Sequence, residues 1–213
     1  MKAILIYSGG LDSTTLLYEY KDSIELAVTF DYGSKHNARE IACAQDHCAR
    51  LGIRHLVIPL GFIGRYFKSD LLLSGGEIPE GSYADGNMRS TVVPFRNGIM
   101  LAVAAGLAES YGLDTLLMAN HSGDHAIYPD CRPAFVEAFA RAAETGTYNG
   151  VKLLSPYCDI DKRAIALRGK ALGVDYGSTY SCYKGGEKHC GKCGTCTERK
   201  EALEGFDPTE YEA

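Results

Sequence analysis

Residues 3–17, AILIYSGGLDSTTLL, decide how the rest of the chain is read. The first five are apolar and too few to cross a membrane, which predicts a buried parallel strand ending at Tyr7. Residues 8–13 predict a tight turn, and the spacing after them predicts a helix. Gly9 and Gly10 let the backbone close in on a ligand, while Asp12, Ser13 and Thr14 place side-chain oxygens at the helix start. Unpaired amides there, together with the positive end of the helix dipole, make the turn an anion site. The turn contains no lysine, so it fits neither GxxxxGK[ST] nor GxGxxG.

Outward from this turn, the apolar runs at 24–30, 55–60, 114–119 and 151–157 predict four further strands. They alternate with helical patterns at 38–51, 97–111, 133–146 and 161–173. Such alternation predicts an α/β fold with a doubly wound, mainly parallel five-stranded sheet. Expected inward positions are Ile41, Ala42, Cys48, Ala49 and Leu51, then Phe135, Val136, Phe139 and Ala143, then Ile165, Leu167 and Leu172. Cys43 and Cys48 read as small apolar packing residues.

In a sheet of this kind ligands collect beyond the carboxyl ends of the strands. That places Asp31, Tyr32 and His36 beside the first turn, with His36 either touching a nucleotide or capping the next helix. Arg96, at the start of a buried apolar helix and next to Asn97, suits a carboxylate or phosphate; a surface ion pair is the alternative. The loop at 120–132 gathers Asn120, His121, Ser122, Asp124, His125, Asp130 and Arg132. It lacks HxH spacing, and its mixture of amide, acidic and basic side chains favours substrate recognition over metal binding. Lys162 and Arg163, in the first turn of the helix after Asp161, oppose the helix dipole and so imply an anion nearby. The stretch at 69–95 is rich in Gly, Pro, Ser and Asp and reads as a long loop, expected to be a lid over the site.

The 213 residues carry a net charge of −5 and no long basic run, which disfavours a surface devoted to duplex nucleic acid. No run approaches the roughly 18 apolar residues of a membrane span, so no membrane contact and a cytoplasmic location are expected. Four of the eight cysteines fall between 182 and 196, which indicates a metal site rather than a disulfide framework. Cys182, Cys190, Cys193 and Cys196 follow Cx7CxxCxxC, suited to a closed structural Zn²⁺ site; an iron–sulfur cluster is the alternative, and His189 is a substitute ligand. Residues 1–177 are expected to form the α/β domain and 178–213 a zinc-binding appendage packed on it, ending in a short charged helix.

SGGLDST at Ser8, TFDYG at Thr29, VPFRN at Val93, YPDCRP at Tyr128 and SCYKGGEKHCGKCGTCTERK at Ser181 together resemble the 7-cyano-7-deazaguanine synthase family. That family lies within the ATP pyrophosphatase, or PP-loop, superfamily, with its adenine nucleotide alpha hydrolase-like fold. The resemblance spans nearly the whole chain. It implies an ATP-dependent carbon–nitrogen ligase of the queuosine precursor pathway, using 7-carboxy-7-deazaguanine, ammonia and ATP with Mg²⁺. It implies that Ser8, Gly9, Gly10, Leu11, Asp12, Ser13 and Thr14 hold ATP, and that Asp12, Arg96 and Lys162 serve catalysis. Asn97, His121, Asp124, Asp130 and Arg132 are the expected substrate contacts. No direct nucleic-acid partner is expected, and a homodimer is allowed. The competing readings are a PP-loop tRNA sulfurtransferase and a nucleic-acid-binding regulator built on the cysteine knuckle.

Overall fold

The computed structural model describes residues 1–82 and 86–212. Its sheet contains β1 (Ala3–Ile6), β2 (Ile24–Asp31), β3 (His55–Pro59), β4 (Thr115–Leu117) and β5 (Lys152–Leu154), in the order β3-β2-β1-β4-β5. Every pairing is parallel. The chain runs outward from β1 through β2 to β3, then returns to lay β4 and β5 on the other side. The carboxyl end of β1 is therefore the switch point where a crevice opens.

Strand alternation divides the interior into two layers. Ile4 faces a core with Leu26, Val28, Phe30, Leu101 and Ala104, under α4 (Arg96–Tyr111). Ala3, Leu5 and Tyr7 face a second core with Leu11, Leu16 and Leu17 of α1 (Leu11–Glu19), Cys48 of α2 (Asn37–Leu51) and Ile165 of α6 (Lys162–Ala171). The short α3 (Gly61–Tyr66) follows β3, and α5 (Pro133–Gly146) precedes β5. The α/β class and the five strands match the expectation, although β5 spans only three residues because the chain enters a turn at Pro156.

Several inward positions differ from the periodicity. On α2, Ala42 and Ala49 are exposed, whereas Ala44 and His47 are buried. His47 tolerates burial because both ring nitrogens are satisfied, Nδ1 by the Tyr18 hydroxyl at 3.1 Å and Nε2 by Ser178 Oγ at 3.0 Å. Leu167 of α6 and Leu172 just after its end are exposed, since α6 presents Ile165, Ala166 and Gly169 to the core instead. Within residues 88–111 one 18-residue window, of mean hydropathy 1.4, is long and apolar enough for a span by composition alone. Met100, Leu101, Ala104 and Ala108 of that segment are buried in the core beneath the sheet.

The segment expected to form a lid is instead built into the body. Leu71, Leu72, Ile78, Met88 and Val93 are buried, and the Lys35 ammonium donates to the carbonyls of Leu72 (2.9 Å) and Gly76 (2.7 Å) and to that of Asp70. Glu80 bridges to Cys193, and Gly81 N donates to Lys192 O. Among the described residues of 69–95, none lines the cavity below; residues 83–85 of the expected lid lie outside the described residues.

The cysteine segment is equally continuous with the body. All four cysteines belong to the core that contains Ile4 and Leu101. Its helix α7 (Gly194–Ala202) begins within the cysteine cluster rather than after it. Arg199 of α7 is fully buried, donating to Thr209 Oγ1, Ser181 Oγ, Tyr176 O and Thr179 Oγ1 at 2.6–2.9 Å. A buried guanidinium with its donors satisfied ties the tail to the segment before it.

Candidate active site

At the end of β1 the chain turns through Gly9, whose φ of 84° lies in the left-handed region, and enters α1 at Gly10. A Cβ at Gly9 would collide with the Glu40 carbonyl and lie 2.9 Å from Ala44 N, so the turn sits hard against α2. Gly9→Ala is therefore expected to destabilise the fold by at least about 2 kcal/mol, lowering Tm by roughly 4–8 °C in thermal denaturation. An unchanged Tm would contradict this packing.

The turn is held by its own hydroxyls: Ser8 Oγ accepts from Gly10 N at 3.2 Å and lies 3.0 Å from Ser13 Oγ. No side chain caps α1, so the amides of Leu11, Asp12 and Ser13 have no partner inside the helix. The expected capping oxygens go elsewhere. Thr14 Oγ1 meets the Tyr7 hydroxyl at 3.1 Å, and Asp12 Oδ2 lies 3.2 Å from Lys162 Nζ.

A cavity of about 220 Å³ opens over this turn. Of the expected site residues, Ser8, Gly10, Leu11, Asp12, Ser13, Arg96, Asn97, Asp124 and Lys162 line it. Gly9 and Thr14 support it from behind. His121 sits just beneath, 1% exposed, with Nδ1 accepting from Gly123 N. That bond leaves the ring proton on Nε2, which faces Asp12, Asp124 and Glu198 at 3.9, 3.6 and 3.8 Å. Two expected contacts do not reach the cavity. Asp130 Oδ2 accepts from Asn97 N at 2.8 Å and so caps α4, while Arg132 is exposed and bonded to the His125 carbonyl.

Glu198 is the residue the sequence reading lacks. It comes from α7, 2.7 Å from Lys162 Nζ, and completes a half-buried charged group with Asp12 and Asp124 above the buried His121. Burial alone would lower the Lys162 ammonium, but Asp12 and Glu198 outweigh it and hold the group well above the usual lysine range. Burial raises the Glu198 carboxyl against the pull of Lys162 and His121. Asp12 Oδ1 is buried without a hydrogen-bond partner. A carboxylate oxygen left open in this way fits a hard divalent cation such as Mg²⁺.

Arg96 provides the other charged wall. The chain reaches it through Phe95, whose φ of 52° is strained for a side-chain-bearing residue and whose ring packs against Phe135, with centroids 5.8 Å apart. The guanidinium donates to the Tyr32 hydroxyl at 3.1 Å and lies over that ring. Among the described residues no carboxylate stands within 4.0 Å of it. Tyr32, Tyr128 and Tyr183 line the cavity as well.

The four cysteine sulfurs are buried and lie within 4.8 Å of one another, with Cys190 and Cys196 at 3.9 Å. Thiolates around a tetrahedral ion with Zn–S near 2.3 Å stand about 3.8 Å apart, so the donor set and spacing fit a metal. His189 is not among the grouped ligands; its Nε2 accepts from Ser181 N.

Compared with known families, residues 2–207 match the family model described as queuosine biosynthesis protein QueC. The chain belongs to the QueC family. It is 63% identical to a Porphyromonas gingivalis protein named 7-cyano-7-deazaguanine synthase, over 99% of this chain and 97% of that one. Proteins of the same name from Desulfotalea psychrophila and Methanoregula boonei are 51% and 50% identical, covering 98% and 100% of this chain and the same shares of their own. Among solved structures, an NMN synthetase from Francisella tularensis shares the fold at a TM-score of 0.51 and 12% identity, over 87% of this chain and 68% of that one. A predicted tRNA methyltransferase subunit from Methanocaldococcus jannaschii does so at 0.52 and 16%, over 80% and 76%.

Proposed function

We propose that this QueC-family chain makes 7-cyano-7-deazaguanine from 7-carboxy-7-deazaguanine and ammonia, cleaving ATP to AMP and pyrophosphate twice. The observation that carries the reading is the juxtaposition, in one cavity, of the open amino end of α1 with an Arg96 guanidinium that has no carboxylate partner among the described residues. A carboxylate resists ammonia because hydroxide is a poor leaving group. Transfer of AMP to its oxygen supplies a good one, ammonia displaces it to give the amide, and a second adenylation on the amide oxygen lets the nitrile form.

In this scheme the α1 amides with Ser8 and Ser13 receive the pyrophosphate group. Lys162, kept charged by its carboxylate neighbours, balances the phosphate charge as it builds. Arg96 fixes the substrate carboxylate, and the tyrosine faces accept the flat ring system. Mg²⁺ would be held by Asp12, where it offsets phosphate charge. The four thiolates would hold Zn²⁺ as a closed structural site.

Cys131 also lines the cavity, but burial, with Asp124 and Asp130, pushes its thiol far up, so it offers no thiolate for sulfur transfer. The test is incubation with ATP, ammonia and the carboxylate. Mass spectrometry is expected to find nitrile, with two AMP and two pyrophosphate for each. No nitrile at saturating substrate overturns the reading.

A further inference from the structure

His36 and Glu40 line the same cavity, beside Arg96, Tyr32 and Tyr183, and the binding scheme above leaves them without a role. Both come from the start of α2, the helix against which Gly9 packs. His36 is 3% exposed and stacks on Tyr183, ring centroids 5.3 Å apart. Its Nε2 lies 3.4 Å from Glu40 Oε2, whose side chain is 14% exposed. Its Nδ1 is buried and has no hydrogen-bond partner. Leaving such a nitrogen unpaired costs about 1–3 kcal/mol, so its persistence in a cavity wall marks a place where a ligand supplies the partner.

We propose that His36 and Glu40 form a two-residue relay that takes the proton released when ammonia displaces AMP from the adenylated carboxylate. The inference rests on the function proposed above. Before the step, Nδ1 holds a lone pair and Nε2–H faces the Glu40 carboxylate. Nitrogen bonds to the carbonyl carbon, the carbon–oxygen bond to AMP breaks, and the electron pair leaves on the AMP phosphate oxygen. One nitrogen-bound proton passes to Nδ1 while the Nε2 proton passes to Glu40, so the imidazole is neutral before and after.

The surroundings suit this division of labour. Burial, then Arg96, push His36 down to about 3 against a small opposing pull from Cys193, so the ring conducts a proton without storing charge. Burial pushes Glu40 up to about 8 although Arg96 opposes it, giving a carboxylate whose proton affinity lies near working pH. The other titratable groups facing the pair are Tyr32 and Tyr183, both raised by burial, and Cys43 on α2 itself. None of these three supplies a competing proton acceptor near neutrality.

The experiment is rapid-quench measurement of adenylate formation and consumption across pH at fixed free ammonia, which removes the titration of ammonium itself. Wild type is expected to consume adenylate faster as pH rises, with a midpoint of about 8. Glu40→Gln is expected to consume it about 10²–10⁴-fold more slowly, without that pH limb, so that adenylate accumulates. His36→Asn should accumulate adenylate in the same way, and Glu40→Asp should recover part of the rate. Should Glu40→Gln fail to fold, His36→Asn decides. Consumption at the wild-type rate in a folded variant overturns the relay, as does parallel loss of adenylate formation and consumption, which marks a structural role. Wild type that forms no nitrile overturns both proposals, whereas nitrile formation with an unimpaired Glu40→Gln overturns the relay alone.

Discussion

Asp12→Asn is expected to lower turnover by about 10²–10³-fold while leaving the protein folded. The two halves of this expectation come from the two carboxylate oxygens. Oδ1 is buried and unpartnered, so nothing in the fold depends on its charge, yet it is the open donor at the mouth of α1. Oδ2 faces Lys162, but Lys162 retains Glu198 at 2.7 Å when Asp12 is neutralised, so no buried cation is stranded. Thermal denaturation should therefore move by less than about 4 °C, the equivalent of roughly 1 kcal/mol in a chain of this size. Pyrophosphate release is the direct measurement. Turnover at the wild-type rate would remove the turn from the mechanism.

Cys193→Ser is expected to remove about one equivalent of bound metal and to destabilise the fold by about 4 kcal/mol, a fall in Tm on the order of 8–16 °C. The effect extends beyond the metal site because Cys193 sits at a junction. Its neighbourhood bridges to Glu80, and its N–H turns back onto Cys190 Sγ at 3.3 Å. The same segment provides Tyr180, Ser181, Tyr183 and Thr195 to the cavity wall. Activity should fall together with metal content, and zinc should be the metal found in the wild-type protein. Iron at about one or more per chain, without zinc, would overturn the zinc assignment.

The strand-turn-helix at 3–17 is legible in the sequence because its information is local: an apolar run, two glycines, and polar residues at a helix start. The four cysteines are legible for a similar reason, since spacing alone brings them together. Asp130 and Arg132 show where local reading fails. They belong to the right loop, yet one caps α4 and the other turns outward, choices made by neighbours distant in sequence. Glu198 shows the converse, a charged residue in an ordinary-looking TERK stretch that α7 carries into the site. On α2, periodicity selected Ala42 and Ala49 by hydrophobicity, whereas the fold buries His47 by supplying hydrogen bonds. The lid reading failed because Lys35, a single residue on the preceding loop, collects the carbonyls that hold the segment down.

The bond between the hydroxyls of Thr15 and Tyr176, 2.7 Å long, joins residues 161 positions apart, and Tyr180 N reaches back to the Gly9 carbonyl. These late residues carry the chain past the first turn before α7 delivers Glu198. The turn is therefore enclosed by residues that lie far downstream of it in the chain. Pairings of such long range form slowly and only once their distant partner has been made. The strand, turn and helix at 3–17 can therefore form from local contacts well before the walls that carry Tyr180 and Glu198 close around them.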